Sequence, residues 1–223
     1  MSKENEHFGL SEERWGNMSE KERDLYRLVR PLRRCSYRVD VPLGTIEDTL
    51  ANFANEAGSR NGSLELNPDF QRGHVWSQEK QISYLENLFR GVAPRNIRFN
   101  CAGWHAGDEK PGDLNPGDIV CVDGLQRLTA ARDFLDGKIA LFGGKTPEDF
   151  SRTSFDVSRF GTGWNLSVEM FQITSRADLL QFYLDINTGG VVHSEEELSR
   201  VRTLLDQANP SVAKNHKKTK LRG

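Results

Sequence analysis

Residues 119–135 read IVCVDGLQRLTAARDFL, and this stretch decides the fold of the chain and its candidate site. The apolar residues 119–122 are typical of a buried strand, and the apolar residues further along follow the spacing of a helix. The junction and the first helical turn carry Asp123, Gly124, Gln126 and Arg127. The stretch therefore predicts a strand–turn–helix unit whose turn holds a carboxylate, an amide and a guanidinium group.

Two interpretations of this turn are open from the sequence. In the first, Asp123 only caps the helix and Gly124 only makes a tight turn. In the second, the free N–H groups at the positive end of the helix bind phosphate oxygens together with Arg127. Asp123 would then repel the phosphate itself, but it suits a Mg²⁺ ion shared with the phosphates, or an attacking hydroxyl or water. On this second interpretation Asp123 and Arg127 are the candidate catalytic residues, and Asp123 is the candidate metal ligand.

Composition limits the class of protein. A chain of 223 residues with 36% hydrophobic content can bury one core, so we expect one main domain. The net charge of −2 excludes a protein that is basic throughout, so any surface for nucleic acid must be local. Three well-separated cysteines (Cys35, Cys101, Cys121) argue against a disulfide framework and against a zinc site. No signal peptide and no apolar run of about 20 residues is present, which predicts a cytoplasmic protein without a membrane partner.

The order of predicted elements indicates an α+β protein with a small mixed sheet and helices clustered beside it. Caps at Ser19, Thr45 and Ser77 predict three helices in the first half, the first of them stopped by Pro31. The second half predicts strand 119–122, helix 125–135, strand 139–142, strand 166–173, helix 176–186 and helix 195–207. We expect a flexible N-terminus over 1–18, a single domain over 19–208 and a basic, disordered tail over 209–223.

Basic residues are concentrated in two segments. Arg27, Arg30 and Arg34 fall at helical spacing, and they form either a solvated face or a stripe that contacts phosphates. The tail carries further cations, among which Lys217, Lys218 and Lys220 are candidates for DNA binding. We therefore expect weak, sequence-independent contact with DNA from these two segments.

Two other polar clusters accompany the strand–turn–helix unit. The stretch NPDFQRGHVW at 67–76 places Gln71 and Arg72 before a helix, and by itself it is typical of a turn framed by aromatic residues. The stretch DINTGG at 185–190 ends a helix, which usually means a C-cap, although paired glycines also let a backbone approach a ligand. Each cluster is weak alone, and their co-occurrence is what points to a site.

The three motifs, in this order and at these separations, resemble the ParB-like N-terminal domain of the GmrSD type IV restriction endonucleases, in the ParB/sulfiredoxin superfamily. The resemblance covers about residues 40–205. It implies a ParB/sulfiredoxin-like fold that binds a nucleoside triphosphate, with the D-G-x-Q-R segment at the phosphates. We expect this ligand to be GTP or ATP, with Mg²⁺ as cofactor. Carried over to this chain, the nucleotide-binding candidates are Gln71, Arg72, Gly124, Gln126, Arg127, Asn187, Thr188 and Gly189.

The chain departs from the family pattern in two places. The usual D-G-Q-Q-R segment has Leu125 in place of its first glutamine, and no His-Asn-His nuclease pattern follows the domain. We therefore expect a stand-alone version of the kind that phage genomes carry, which would act in the host cytoplasm, with a protein partner supplying any nuclease. The leading function is an NTP hydrolase or phosphotransferase acting on or near DNA. A non-catalytic module switched by nucleotide is the alternative, and a nuclease is a third.

Overall fold

The structure is a computed structural model of the chain. It describes residues 7–8, 10–71, 73, 75–105, 112–157, 164–188 and 195–208. Two compact units make up the chain. The sheet unit comprises residues 35–109 and 115–172, and the helical unit comprises residues 1–34, 110–114 and 173–223. The single domain that the sequence predicts over 19–208 stays a prediction.

The described chain contains both helices and strands. The helices are α1 (Glu12–Gly16), α2 (Glu20–Val29), α3 (Ile46–Ser59), α4 (Gln78–Phe89), α5 (Leu125–Leu135), α6 (Pro147–Phe150), α7 (Arg176–Thr188) and α8 (Glu195–Ala208). The strands are β1 (Tyr37–Pro42), β2 (Leu64–Glu65), β3 (Asn96–Asn100), β4 (Ile119–Asp123) and β5 (Asn165–Phe171). The α+β class is therefore confirmed.

The sheet of the sheet unit is mixed, as predicted. Its strand order is β1-β5-β3-β4-β2. Strand β5 pairs antiparallel with β1 and parallel with β3, and β4 pairs antiparallel with β3 and parallel with β2. Strand β3 lies at the centre of the sheet. It is not predicted from the sequence, because NIRFN carries too many polar residues to be typical of a buried strand.

The core of the sheet unit lies between one face of the sheet and helices α3, α4 and α5. Helix α3 contributes Phe53, α4 contributes Leu88 and α5 contributes Phe134, all of them buried. Ser77 caps α4 by accepting a hydrogen bond from the backbone N–H of Lys80 at 3.4 Å, as predicted. Because successive side chains of a strand point to opposite faces of the sheet, the side chains between the core positions lie on the face away from the core.

One predicted strand is wrong. The structure has no strand at 139–142, where the described backbone shows only a single bridge between Leu141 and Lys145. Phe142, Gly143 and Gly144 have φ angles of 48°, 76° and 119°, so the chain turns back within three residues. A left-handed turn of this kind cannot continue an extended strand.

The helical unit buries Trp15 and side chains of α7 and α8. Ser19 and Glu22 form the predicted capping box of α2, which ends at Val29 just before Pro31. Arg30 follows as the C-cap with a φ of 48°, and Arg34 comes after the helix, so the helical spacing does not extend to either residue.

Candidate functional site

The turn between β4 and α5 has a backbone that only glycine suits. Gly124 has a φ of 103°, and a Cβ atom there would lie 2.8 Å from Ile97 Cδ1 and 3.0 Å from Ile97 Cα. L-residues rarely adopt this conformation, and the backbone of β3 leaves no room for a side chain. The turn is therefore held tightly against β3 at the point where α5 begins.

Asp123 does not cap helix α5, which corrects the simpler interpretation of the turn. The N-cap residue is Gly124, and no side chain among the described residues caps the first turn. The Oδ2 atom of Asp123 instead accepts hydrogen bonds from Arg98 Nη1 at 2.8 Å and from Arg127 Nη2 at 2.7 Å. Within the described part of the chain, no group donates to Oδ1 of this carboxylate.

Five charged side chains form an alternating row that crosses four strands and ends on α5. The row runs Arg38, Glu169, Arg98, Asp123, Arg127, from β1 through β5, β3 and β4 to α5. The strand register produces it, because Arg38 pairs with Glu169 and Arg98 lies opposite both Glu169 and Asp123. Opposite charges on neighbouring strands attract one another, so each member of this row, which we call the charge row, holds the next in place.

A shift of register brings Asp123 into the charge row. Phe99 pairs with Cys121, whereas its neighbour Arg98 pairs with Asp123, so β4 carries one extra residue at this point, as in a β-bulge. Regular alternation would put Asp123 on the same face as the buried Cys121. The irregularity turns the carboxylate towards Arg98 instead.

Glu169 is the buried centre of the charge row, with a side chain only 3% exposed. Its Oε1 accepts hydrogen bonds from Arg38 Nη2 at 2.5 Å and Asn96 Nδ2 at 2.7 Å, and its Oε2 accepts one from Arg98 Nε at 3.0 Å. A buried charge requires such partners, since an unpaired carboxylate would be strongly destabilising. The negative charge of Glu169 also raises the pKa of Arg38, as does the neighbouring Cys35.

Arg38 is the most exposed member of the charge row. The side chains of Arg127, Asp123 and Arg98 are 17%, 22% and 27% exposed. Arg38, in contrast, is 60% exposed. Three guanidinium groups face two carboxylates, so the row carries one surplus positive charge. Such a group of partly buried cations attracts anions.

The structure brings two of the predicted motifs together. Gln71 Nε2 donates to the backbone oxygen of Cys121 at 2.6 Å. Gln126 Oε1 accepts from the backbone N–H groups of Val75 and Trp76 at 2.9 and 3.1 Å, and its Nε2 donates to Gly73 O at 2.6 Å. Both glutamines thus hold the loop against the β4–α5 turn, and their role as nucleotide ligands stays a prediction. Arg72 and His74 lie outside the described residues.

Two reactive side chains near the turn are held in their neutral forms. Burial, and then the charge of Asp123, raise the pKa of Cys121 to about 12. Burial also raises the pKa of Tyr84, whose hydroxyl donates to Pro94 O at 3.0 Å, although the positive charge of Arg127 acts in the opposite direction. Neither group is therefore ionised near neutral pH, and neither serves as an anionic nucleophile there.

The remaining predicted site residues belong to the helical unit or lie outside the described residues. Asn187, on α7, donates from Nδ2 to Tyr183 O at 2.7 Å, as a residue near a helix end commonly does. Thr188 is the last residue of α7, and its side chain is outside the described part, as is Gly189. The candidate DNA contacts Lys217, Lys218 and Lys220 also lie outside it.

Comparison of the chain with protein-family models, with curated proteins and with solved structures finds no match in any of the three. The resemblance to the GmrSD N-terminal domain therefore stays a prediction carried by the motifs alone. In the described part of the chain, no helix is long and apolar enough to span a membrane. No group of three or more His, Cys, Asp or Glu residues suited to a metal ion occurs among the described residues either.

The sequence pattern marks one half of the charge row and leaves the other half unmarked. Asp123 and Arg127 are close in sequence and stand out at a strand–helix junction. Glu169 and Arg98 are separated from their partners by 71 and 25 residues. A single charged residue within the buried run Val168–Phe171 of β5 is the signal that could have found this half, because a buried strand rarely carries a charge without a partner.

Proposed function

We propose that the chain binds a nucleoside triphosphate at the β4–α5 turn, as the resemblance to the GmrSD N-terminal domain implies. The observation that carries the proposal is the surplus positive charge of the charge row, which ends beside a helix N-terminus that no described side chain caps. Free N–H groups at a helix N-terminus and a neighbouring guanidinium group suit phosphate oxygens. Burial of Glu169 and the tight turn at Gly124 make this arrangement rigid before any ligand arrives.

Asp123 has the chemistry of a residue that acts on the terminal phosphate. Its Oδ2 is held by two arginines, whereas Oδ1 receives no hydrogen bond from the described residues and can accept one from a water or hydroxyl group. In hydrolysis, the water oxygen bonds to the terminal phosphorus, the bond from that phosphorus to the bridging oxygen breaks, and the water proton passes to Oδ1. The nucleoside diphosphate leaves with the electron pair. With a hydroxyl acceptor in place of water, the same step is phosphoryl transfer.

Mg²⁺ suits this site only as an ion that arrives with the phosphates. Mg²⁺ is often bound by one or two carboxylates together with phosphate oxygens and water, and Asp123 Oδ1 can supply one such oxygen. Both oxygens of Glu169 are already bonded to Arg38, Asn96 and Arg98. When bound, the ion would neutralise part of the phosphate charge.

A non-catalytic nucleotide switch is the second candidate function. The double ion pair of Asp123 favours it, because a carboxylate held by two arginines is a good anchor for the turn. Phosphate release at saturating GTP or ATP with Mg²⁺ separates the two functions. Turnover supports the hydrolase, and tight binding without turnover supports the switch.

The proposed setting is a cytoplasmic protein that acts on or near DNA, with a protein partner supplying any nuclease. The three cysteines are free thiols, as is typical of a reducing compartment. The basic residues of the N-terminal segment and of the tail support weak contact with DNA.

A further inference from the structure

Arg38 is the exposed end of the charge row. Its Nη2 is bound by Glu169 Oε1 at 2.5 Å, and the thiol of Cys35 lies beside the same guanidinium group. A guanidinium group carries five N–H donors, so these neighbours leave several donors directed to solvent. At 60% exposure, Arg38 is far more accessible than Arg98 or Arg127.

The inner arginines are more fully occupied by the protein. Arg98 lies between two carboxylates, donating to Glu169 from Nε and to Asp123 from Nη1. Arg127 donates to Asp123 from Nη2 and to the backbone oxygen of Asn96 from Nε. The surplus positive charge of the row is therefore most available at Arg38.

Glu169 holds Arg38 in a defined orientation. The carboxylate is itself fixed, because it is buried and bonded by Asn96 and Arg98 as well as by Arg38. An arginine anchored in this way loses less conformational freedom when it binds a ligand than a free surface arginine does. Arg38 thus combines accessible donors with a rigid anchor.

We propose that Arg38 contacts the phosphate oxygens of the bound triphosphate and that Glu169 is the positioning residue that orients it. This inference rests on the proposed function. It adds to the site a β1 residue that no motif of the sequence marks. The competing explanation is that Arg38 only neutralises the buried Glu169.

Calorimetric titration of GTP and of inorganic tripolyphosphate tests the proposal on the full chain, with Arg38→Ala, Arg38→Lys and Arg127→Ala. Arg132→Ala is the matched control, because Arg132 also pairs with a carboxylate, Glu47, in the sheet unit and is 41% exposed. We expect Arg38→Ala to weaken binding of both probes by about tenfold to hundredfold, the effect of a lost charge-assisted hydrogen bond. Arg38→Lys should recover part of the loss, and Arg132→Ala should match wild type.

The variant Glu169→Gln distinguishes two roles of Glu169: orienting Arg38, and contributing a negative charge to the row. Removing a negative charge makes the row more positive, so electrostatics alone predicts tighter binding of tripolyphosphate. Loss of the anchor predicts weaker binding, and that is the result we expect. Thermal unfolding checks that the variant is folded; if it is not, the Arg38 variants decide the question because their exposed side chain is not needed for the core.

The outcomes distinguish this inference from the proposed function. If Arg127→Ala weakens binding while Arg38→Ala binds both probes as wild type does, Arg38 only neutralises Glu169, and the inference is overturned while the proposed function stands. Tighter binding by a folded Glu169→Gln overturns the positioning role. If the wild-type chain binds neither GTP, ATP nor tripolyphosphate, both proposals are overturned.

Discussion

Arg27 of the helical unit and the two arginines that bind Glu169 in the sheet unit differ in how they are held. Arg27, on α2, pairs with Asp24 three residues away, and both side chains are more than half exposed. In the sheet unit, Arg38 and Arg98 pair with Glu169 from 131 and 71 residues away. An exposed pair of the first kind contributes about 0.2–1 kcal/mol, whereas removing Arg98 from the buried Glu169 costs about 3–5 kcal/mol. The pair of Glu169 with Arg38 contributes less, because Arg38 is 60% exposed and solvent screens its charge. Proximity in sequence therefore says little about which arginines form a site.

The sharpest test of this contrast compares two carboxylates. Asp123→Asn should lower kcat about a hundredfold or more while KM changes little, because the acceptor for the attacking group is lost but the phosphate contacts remain. Asp24→Asn, in the exposed pair, should leave both constants unchanged. Steady-state phosphate release measures the two variants. Wild-type turnover by folded Asp123→Asn would remove Asp123 from the reaction.

The next largest effect is expected at the turn that supports the charge row. Gly124→Ala should lower the free energy of unfolding by about 2–4 kcal/mol, because a Cβ atom there meets backbone at 3.0 Å in a left-handed conformation. Gly137→Ala is the matched control, with a φ of 70° and no atom within 4 Å of the added Cβ. It should cost only about 1 kcal/mol. Urea unfolding measures both, and equal losses would show that the close approach to β3 is unimportant.

A smaller effect is expected from the arginine at the start of α5. Arg127→Ala should weaken nucleotide binding by about one to two orders of magnitude, the effect of losing a charge-assisted contact. The chain should stay folded, since Arg98 still pairs with Asp123. Arg127→Lys should restore only part of the affinity, because lysine lacks the planar fork.

Arg27→Ala is the control for this experiment, and it should bind nucleotide as wild type does. Calorimetry measures the affinities, and circular dichroism confirms folding. Equal affinities for wild type, Arg27→Ala and Arg127→Ala would show that the charge row has only a structural role.

The smallest effect is expected from the basic tail. Deleting 209–223 should reduce the affinity for duplex DNA and flatten its dependence on salt, because fewer counterions are released. Filter binding at several salt concentrations measures both quantities. The full chain should leave plasmid DNA uncut with Mg²⁺ or Mn²⁺ present. Identical binding by the truncated chain would limit the tail to a solubilising role.

Local patterns predict much of the sheet unit and only part of the site. Ser77 with the apolar spacing after it predicts α4, and the apolar run before Asp123 predicts β4. These signals are local, since caps and periodicity act within a few residues. The central strand β3 has no such signal, because its polar residues Asn96 and Arg98 are explained only by partners on other strands.

The difference between a local sequence pattern and a contact with a distant part of the chain also applies to the two glutamines. Gln71 and Gln126 stand out in the sequence because they flank arginines in short polar motifs. Their amide groups, however, bond to backbone across the loop, at distances of 2.6–3.1 Å. No pattern in a single sequence separates an amide that holds a loop from one that holds a ligand, because both require the same residue at the same place.

The register shift beside Arg98 makes the length of β4 as important as its composition. Most surface loops tolerate an inserted or deleted residue during evolution, because the elements on either side keep their partners. Within β4 a single deletion between Cys121 and Gly124 would change which face each following side chain occupies. We therefore expect related chains that keep the site to conserve the number of residues at this position even where the residues themselves vary. An alignment gap there would mark a lineage that has lost the site.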